Sequence, residues 1–533
     1  MNFASRFTGM TALPGLLACC AALSACGGTY ASVDALGPLP PAQIQKAVSQ
    51  IDSMAADLMQ RSGVPGMSVA VVKDGRLLYA KGFGVRAAGS PLQVDGDTVF
   101  QLASVSKPIG ASVVAQQVGA GRISWDTPVR KHLPWFTLAS AQVSENVTIG
   151  DLYAHRSGLP DHAGDMLEEL DYSQDYILRH LNQLPLKPFR TSFIYTNYGI
   201  TASAMAVAAA AGSDWATLSE EVLYRPLGMA STSSRFADFQ GRSNRALGHV
   251  KENGVFVVGP EAGSVGSQQW AAYDTDRQSP SGGVSSSAKD MAKWMSFVLA
   301  QGRGPAGQEI VPAAALSPAL APQTLIYQAQ TPSEDTVHYG YGFFINPPQG
   351  GRVVLSHGGA FSWGASTMVS MIPSAGLGIV VLTNTWPTGV AEALVAQFND
   401  IAQYGEVRKD WFAPISQKLA VDFMPKGALI GKPRPSPATP PQVLASYAAT
   451  YANPHFGDLR VLVNAQGTLE LRMGPALQRV YPLQHWDGDT FVFSPVNDSA
   501  TPGSLSQASF NGRQLTLEHF NSLDMGVFTR AMP

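Results

Sequence analysis

Ser104 and Lys107 are the residues whose types and spacing point most directly to covalent chemistry. A hydroxyl becomes a nucleophile when a base takes its proton, and residues three apart share one face of a helix, so the amine can reach the hydroxyl. The string Gln101-Leu102-Ala103-Ser104-Val105-Ser106-Lys107-Pro108 puts the pair at a helix mouth. Pro108 lacks an N–H for the carbonyl four residues back, so a helix carrying the apolar run 109–118 starts about there. A helix N-terminus also favours developing negative charge. The spacing alone is weak, because Ser286-Ser287-Ala288-Lys289 repeats it. There, serines ahead of Asp290 and an apolar-periodic helix read as N-cap residues.

Two further strings could complete such a site. In Tyr195-Thr196-Asn197, an extended segment would aim the phenol and the amide the same way. A phenol near an amine relays protons, and the amide can hold Lys107 or a substrate amide. A second copy of that pattern, Tyr451-Ala452-Asn453, lies in a late β-rich stretch, where its Tyr reads as a core or rim aromatic. His357-Gly358-Gly359-Ala360 directly follows a strand at 353–355. Its glycines admit a substrate backbone, and such a strand edge offers a backbone N–H to an oxyanion.

These strings need a scaffold. Apolar residues at 44, 48, 51, 54 and 58 recur at helical spacing over 40–61. Strands at 67–72 and 77–82 flank Asp74-Gly75, a two-residue hairpin turn. Late in the first part come strands at 353–355, 366–372 and 377–382 and a helix at 390–404, while helices such as 200–211 and 288–299 fill the interval. This predicts an α+β fold: one antiparallel sheet assembled from both ends around a helical subdomain, with a cleft between. The proline-rich string 431–441 marks a boundary, and the short alternating segments beyond it predict a small all-β barrel or sandwich. The expected organisation is a leader at 1–26, a tether at 27–40, the α+β body at 41–410, a linker at 411–442 and the β domain at 443–533.

The chain has 533 residues, 45% hydrophobic and 14% charged, enough for two domains with large cores. A formal net charge of −3 without basic clusters excludes a nucleic-acid partner. Arg6 precedes an apolar run at 10–23, shaped like a secretory signal and too short for a stable membrane span. Leu23-Ser24-Ala25-Cys26-Gly27 resembles the lipobox of bacterial lipoproteins, which implies an acylated Cys26 and attachment to a membrane in the periplasm or cell envelope. The alternative is ordinary cleavage near Ala25. All three cysteines lie in this leader, so the mature body has neither a disulfide nor a thiolate nucleophile.

Taken together, Ser-x-x-Lys, Tyr-x-Asn and His-Gly-Gly in this order resemble the serine β-lactamase-like superfamily of class C β-lactamases, D-alanyl-D-alanine peptidases and family VIII esterases. The likeness spans 41–405 and includes Val64-Pro65-Gly66-Met67, Thr148-Ile149-Gly150-Asp151-Leu152, His155-Arg156-Ser157-Gly158-Leu159-Pro160, Ser281-Gly282-Gly283-Val284 and Tyr339-Gly340-Tyr341-Gly342. The tail resembles the lipocalin-like domain often appended to these hydrolases. The resemblance implies Ser104 as nucleophile, Lys107 and Tyr195 as acid/base pair, and Asn197 as a positioning group. It makes His357, Gly358, Gly359 and Ala360 the substrate-facing edge, with the N–H groups of Ser104 and Ala360 on the oxyanion. The substrate would be a small ester, amide or short peptide, and the chemistry needs no metal or organic cofactor. One departure matters: His357 stands where most β-lactamases and D-alanyl-D-alanine peptidases carry Lys. Imidazole near neutral pH is largely uncharged and suits a substrate carboxylate less well, which turns the expectation from β-lactams toward esters or D-amino-acid peptides.

Other readings compete. Ala360-Phe361-Ser362-Trp363-Gly364 is close to a nucleophile elbow, but it overlaps the oxyanion loop it should follow at a distance. His155, Asp161 and His162 could be drawn as metal ligands, yet no His-Glu-x-x-His helix exists and Pro160 interrupts any ligand face; solvated loop histidines explain them better. The first domain could instead be a binding or sensing protein that acylates weakly, with the β domain active. For that β domain, packing that shapes the cleft and ligand binding stand equal.

Overall fold

The computed structural model describes residues 37–252, 254–259, 274–331, 336–349, 352–495 and 497–532. The leader and Cys26 lie outside these. Among the described residues, no helix is long and apolar enough to cross a membrane.

In chain order the main elements of the body are α1 (Pro41–Ser49), α2 (Ile51–Ser62), β1 (Gly66–Lys73), β2 (Arg76–Gly84), α3 (Ser106–Gly119), α4 (Asp165–Glu169), α5 (Asn197–Ala211), α6 (Ala288–Leu299), β3 (Thr324–Tyr327), β4 (Val337–Tyr339), β5 (Phe344–Gln349), β6 (Arg352–Phe361), β7 (Ala365–Ile372), β8 (Leu377–Thr383) and α7 (Val390–Tyr404). The region anticipated as one entry helix is thus two, α1 and α2. The strands form one antiparallel sheet in the order β2-β1-β8-β7-β6-β5-β4-β3, so N-terminal β1 pairs with C-terminal β8 and closes the fold. The hairpin turn has Asp74 and Gly75 both at positive φ (49° and 73°), as a type I′ turn requires.

Strand alternation feeds two cores. Met67, Val69 and Val71 of β1 pack with Ile379 and Val381 of β8 beneath α1, α2 and α7. Ala70 and Val72 face the opposite way, with Val380 and Leu382, into the core holding α3 and α6. Since β1 and β8 are buried on both faces, they read as continuous apolar runs.

The segment after the body is partly helical: α8 spans Phe412–Asp422. Beyond it β9 (Ala449–Ala452), β10 (Leu459–Val463), β11 (Leu469–Met473), β12 (Arg479–Asp487), β13 (Thr490–Phe493), β14 (Ser506–Asn511), β15 (Gln514–Leu517) and β16 (Val527–Arg530) form a closed barrel, completed by Tyr451 opposite Arg530. Its interior is filled by side chains such as Leu459, Leu471, Phe491, Phe510 and Phe528. The same apolar cluster continues through Tyr172, Leu167 and Tyr198 into the helical subdomain, so barrel and subdomain share one core. Tyr172 donates to the Phe456 carbonyl at 2.7 Å, and Arg479 pairs with Asp171 at 2.6 Å. The barrel is a packed partner of the body, and its lumen is occupied by its own core.

Candidate active site

The turn that carries Ser104 is bent before the helix begins. Ala103 is buried with φ +48°, a left-handed conformation that costs a non-glycine residue energy. Ala103–Val105 form a 3₁₀ turn leading into α3. Ser106 stitches this turn to the body: its hydroxyl donates to the Ala103 carbonyl at 2.6 Å and accepts from the Val284 N–H at 3.0 Å. Pro108 falls in the first turn of α3, where its missing N–H costs nothing.

Strand β6 lies against this turn. A Cβ on Gly359 would stand 2.2 Å from the Leu102 carbonyl and 3.0 Å from the Ser104 nitrogen, so only glycine fits. Ala360 is exposed beside it. His357 to Ala360 lie within β6 and do not follow a strand, as the sequence reading had placed them.

Tyr195 and Asn197 arrive by a different route from the expected extended segment. Thr196 is extended, and Asn197 opens α5. Residues 155–162 are laced to 187–195: Ile194 N–H donates to the His155 carbonyl at 2.8 Å and His162 N–H to the Tyr195 carbonyl at 2.9 Å. His155 Nδ1 accepts from the Thr196 N–H at 3.1 Å, and its ring lies 4.5 Å from that of Tyr195. His155 is fully buried, which corrects its reading as a solvated loop histidine. Asp151, buried and paired with Arg156 and Arg190, anchors the same lacing.

These elements bring Ser104, Lys107, Tyr195 and Asn197 together. Tyr195 Oη donates to Ser104 Oγ at 2.8 Å. Lys107 Nζ donates to Ser104 Oγ at 3.0 Å, Asn197 Oδ1 at 2.7 Å and the Ser281 carbonyl at 2.9 Å. An ammonium has three donors, and all three are used. A neutral amine keeps two N–H groups for the amide and the carbonyl, which only accept, and turns its lone pair to the serine proton. Burial lowers the Lys107 pKa to about 7, against the opposing charge of Asp165. The neutral form is therefore available near neutrality. Burial pushes the Tyr195 phenol above its ordinary value, keeping it a proton donor.

Asn197 is itself oriented. Its Nδ2 donates to Asp165 Oδ2 at 3.0 Å, and the same oxygen holds His162 Nδ1 at 2.7 Å. That bond raises the His162 pKa to about 9. With His155 committed to Thr196 and His162 to Asp165, the two histidines do not converge on one centre. Among the described residues no group of three His, Cys, Asp or Glu could hold a metal ion.

His357 is buried in β6, its Nε2 2.9 Å from Tyr339 Oη. Burial, then the charge of Lys107, lowers its pKa to about 3. It is a neutral ring here and supplies no cation.

Ser104, Tyr195, Asn197 and 357–360 line a cleft of about 810 Å³. Barrel residues line it too: His455, Phe456, Asp498, Ser499, Phe520 and Met525. These were missed in the sequence, because no motif marks a residue brought in by a loop of a second domain. The duplicate motifs do other work. Ser287 caps α6 by accepting from Asp290 N–H at 3.2 Å, while Lys289 pairs with Asp97 at 2.6 Å. Tyr451 is buried in the barrel, and Asn453 fastens Met525 and Val527 carbonyls.

A family model described as Beta-lactamase matches residues 51–403. The chain is 30% identical over 369 residues to penicillin-binding protein 4 of Amycolatopsis lactamdurans, covering 68% of this chain and 92% of that one. It is 26% identical over 438 residues to unguisins hydrolase ungD' of Aspergillus campestris, covering 77% of each. The octameric penicillin-binding protein homologue from Pyrococcus abyssi superposes with a TM-score of 0.56 at 20% identity, over 88% of this chain and 98% of that structure, a likeness of fold.

Proposed function

The chain belongs to the β-lactamase family of serine hydrolases, and on that premise we propose that it cleaves ester or amide bonds through an acyl-enzyme on Ser104. The observation that carries this reading is Ser104 Oγ held between Tyr195 Oη at 2.8 Å and Lys107 Nζ at 3.0 Å.

Neutral Lys107 takes the Ser104 proton as the oxygen bonds to the substrate carbonyl carbon. The resulting oxyanion is met by the N–H groups of Ser104 and Ala360. The bond to the leaving group breaks as Tyr195 hands it a proton, which Lys107 restores to the phenolate. Water then attacks the ester on Ser104, gives its proton to the same pair and frees the hydroxyl. Asn197, fixed by Asp165, keeps the amine aimed at Ser104.

Esters and amino-acid amides or peptides fit this cleft better than β-lactams. A β-lactam brings a carboxylate, and neutral His357 offers it no cation. The related hydrolase named for unguisins is consistent with amide or ester cleavage on this fold.

Assaying the mature protein on aryl esters, D-amino-acid amides and a chromogenic cephalosporin tests the reading. Turnover of the first two that disappears in Ser104→Ala is expected; undiminished turnover in that variant overturns it. We also propose export with lipid attachment at Cys26. Incorporation of labelled fatty acid into wild type and not into Cys26→Ser is the expected result, and absence of label in wild type refutes it.

A further inference from the structure

One barrel loop does more than pack. Between β13 and β14 the chain enters the cleft and is fastened to both walls. On the sheet side, Asp498 Oδ1 accepts from the Ser362 N–H at 2.7 Å and the Ser362 hydroxyl at 2.7 Å. On the helical side, Glu169 of α4 accepts from Asn497 Nδ2 at 2.6 Å and from the Ser499 N–H and hydroxyl at 3.2 and 2.5 Å. The loop therefore spans the cleft from the end of β6 to α4, and Asp498 lines the same cavity as Ser104.

Two donors on Oδ1 fix the direction of the Asp498 carboxylate. Its Oδ2 makes no hydrogen bond among the described residues, and it forms no ion pair with a cation there. Basic side chains of the cleft are engaged elsewhere: Lys107 by three acceptors and His162 by Asp165. Lys426, also in the lining, makes no ion pair with it. Burial, with the charges of Glu169 and Asp165 adding, raises the Asp498 pKa to about 6, so it is ionised at neutral pH and lacks a countercharge. A half-buried anion in that state gains much from a cationic ligand.

Distance along the strand sets which part of a substrate would meet it. Ser362 is two residues beyond Ala360, in the turn that follows β6, and two residues of chain span at most about 7 Å. A carbonyl held at the Ala360 N–H with its acyl chain running along β6 places an amino group within one aminoacyl unit at that end.

We propose that Asp498 is a specificity-determining residue that favours acyl donors carrying a protonated amine over the same donors with the amine blocked. This rests on the acyl-enzyme reading of Ser104 and narrows its substrates to aminoacyl esters, amides or peptides with a free amino end.

The test compares alanine p-nitroanilides of both hands with their N-acetyl forms at pH 7, where an α-amino group of pKa about 7.7–8.0 is mostly protonated. In the full chain, wild type should prefer the free amine of the accepted enantiomer by at least about tenfold in kcat/KM, an interaction of about 1.4 kcal/mol. Asp498→Asn, which keeps an acceptor for Ser362, should lower that ratio by a similar factor. A ratio does not depend on how much of the variant is folded. Wild type without the preference overturns the proposal, as does an unchanged ratio in Asp498→Asn. If both fail while ester turnover still requires Ser104, the acyl-enzyme reading stands without this subsite. If neither anilides nor esters are turned over, both are wrong.

Discussion

Two segments of this protein carry the same Ser-x-x-Lys spacing and have been given opposite surroundings. Around 104–107, a strained turn exposes the hydroxyl to a cleft, and the lysine is fully buried with each of its donors opposite an oxygen. Around 286–289, the serine is buried in a short strand against Thr232, and the lysine side chain is 42% exposed and paired with Asp97. Burial without a full counterion lowers an amine's pKa, while exposure beside a carboxylate gives a solvated ion pair. Spacing makes contact possible; the environment of the amine decides whether contact is chemistry.

The largest effect that separates the two segments is loss of the hydroxyl. Ser104→Ala should reduce kcat by at least about 10³-fold, whereas Ser286→Ala should stay within about twofold, both read by steady-state turnover. Equal losses would erase the difference. Removing the amine comes next: Lys107→Met should cost about 10²–10⁴-fold in kcat, with Tyr195→Phe in the same range. The pH profile then locates the base. Lys107 must be neutral to act and its pKa is about 7, so kcat/KM should rise with pH through about 7 and level above it. An acid limb near the ordinary lysine value instead would show that burial does not tune this amine.

The remaining effects belong to the second segment and concern stability. Ser287→Ala should cost about 1 kcal/mol in denaturant unfolding by uncapping α6, with turnover unchanged. Smallest is Lys289→Met: an exposed pair contributes about 0–1 kcal/mol, and melting should scarcely move.

Much of the fold was legible because it rests on local rules. Asp74-Gly75 announces its hairpin, and the segments after the proline-rich string announce a β domain. Of the site, Ser104, Lys107, Tyr195, Asn197 and 357–360 were legible as strings, and they line or border one cleft. Their local geometry was not: Asn197 starts a helix, and 357–360 lie inside a strand. His155 was misjudged because its neighbours are polar in sequence, while its ring is covered by Phe193, Tyr195 and Tyr339 from distant segments. Asp165, which orients Asn197, belongs to no motif.

By itself, then, the sequence determined the residue types able to do acyl transfer, their order, an α+β body and an all-β tail. Those follow from period, turn chemistry and side-chain identity, which are local properties. Only tertiary structure decided which serine faces an amine that can be neutral, because that depends on dielectric and partners contributed by Asn197 and Ser281, 90 and 174 residues from Lys107. It also decided that the barrel is a wall of the cleft, because a shared core holds the Asp498 loop between Ser362 and Glu169.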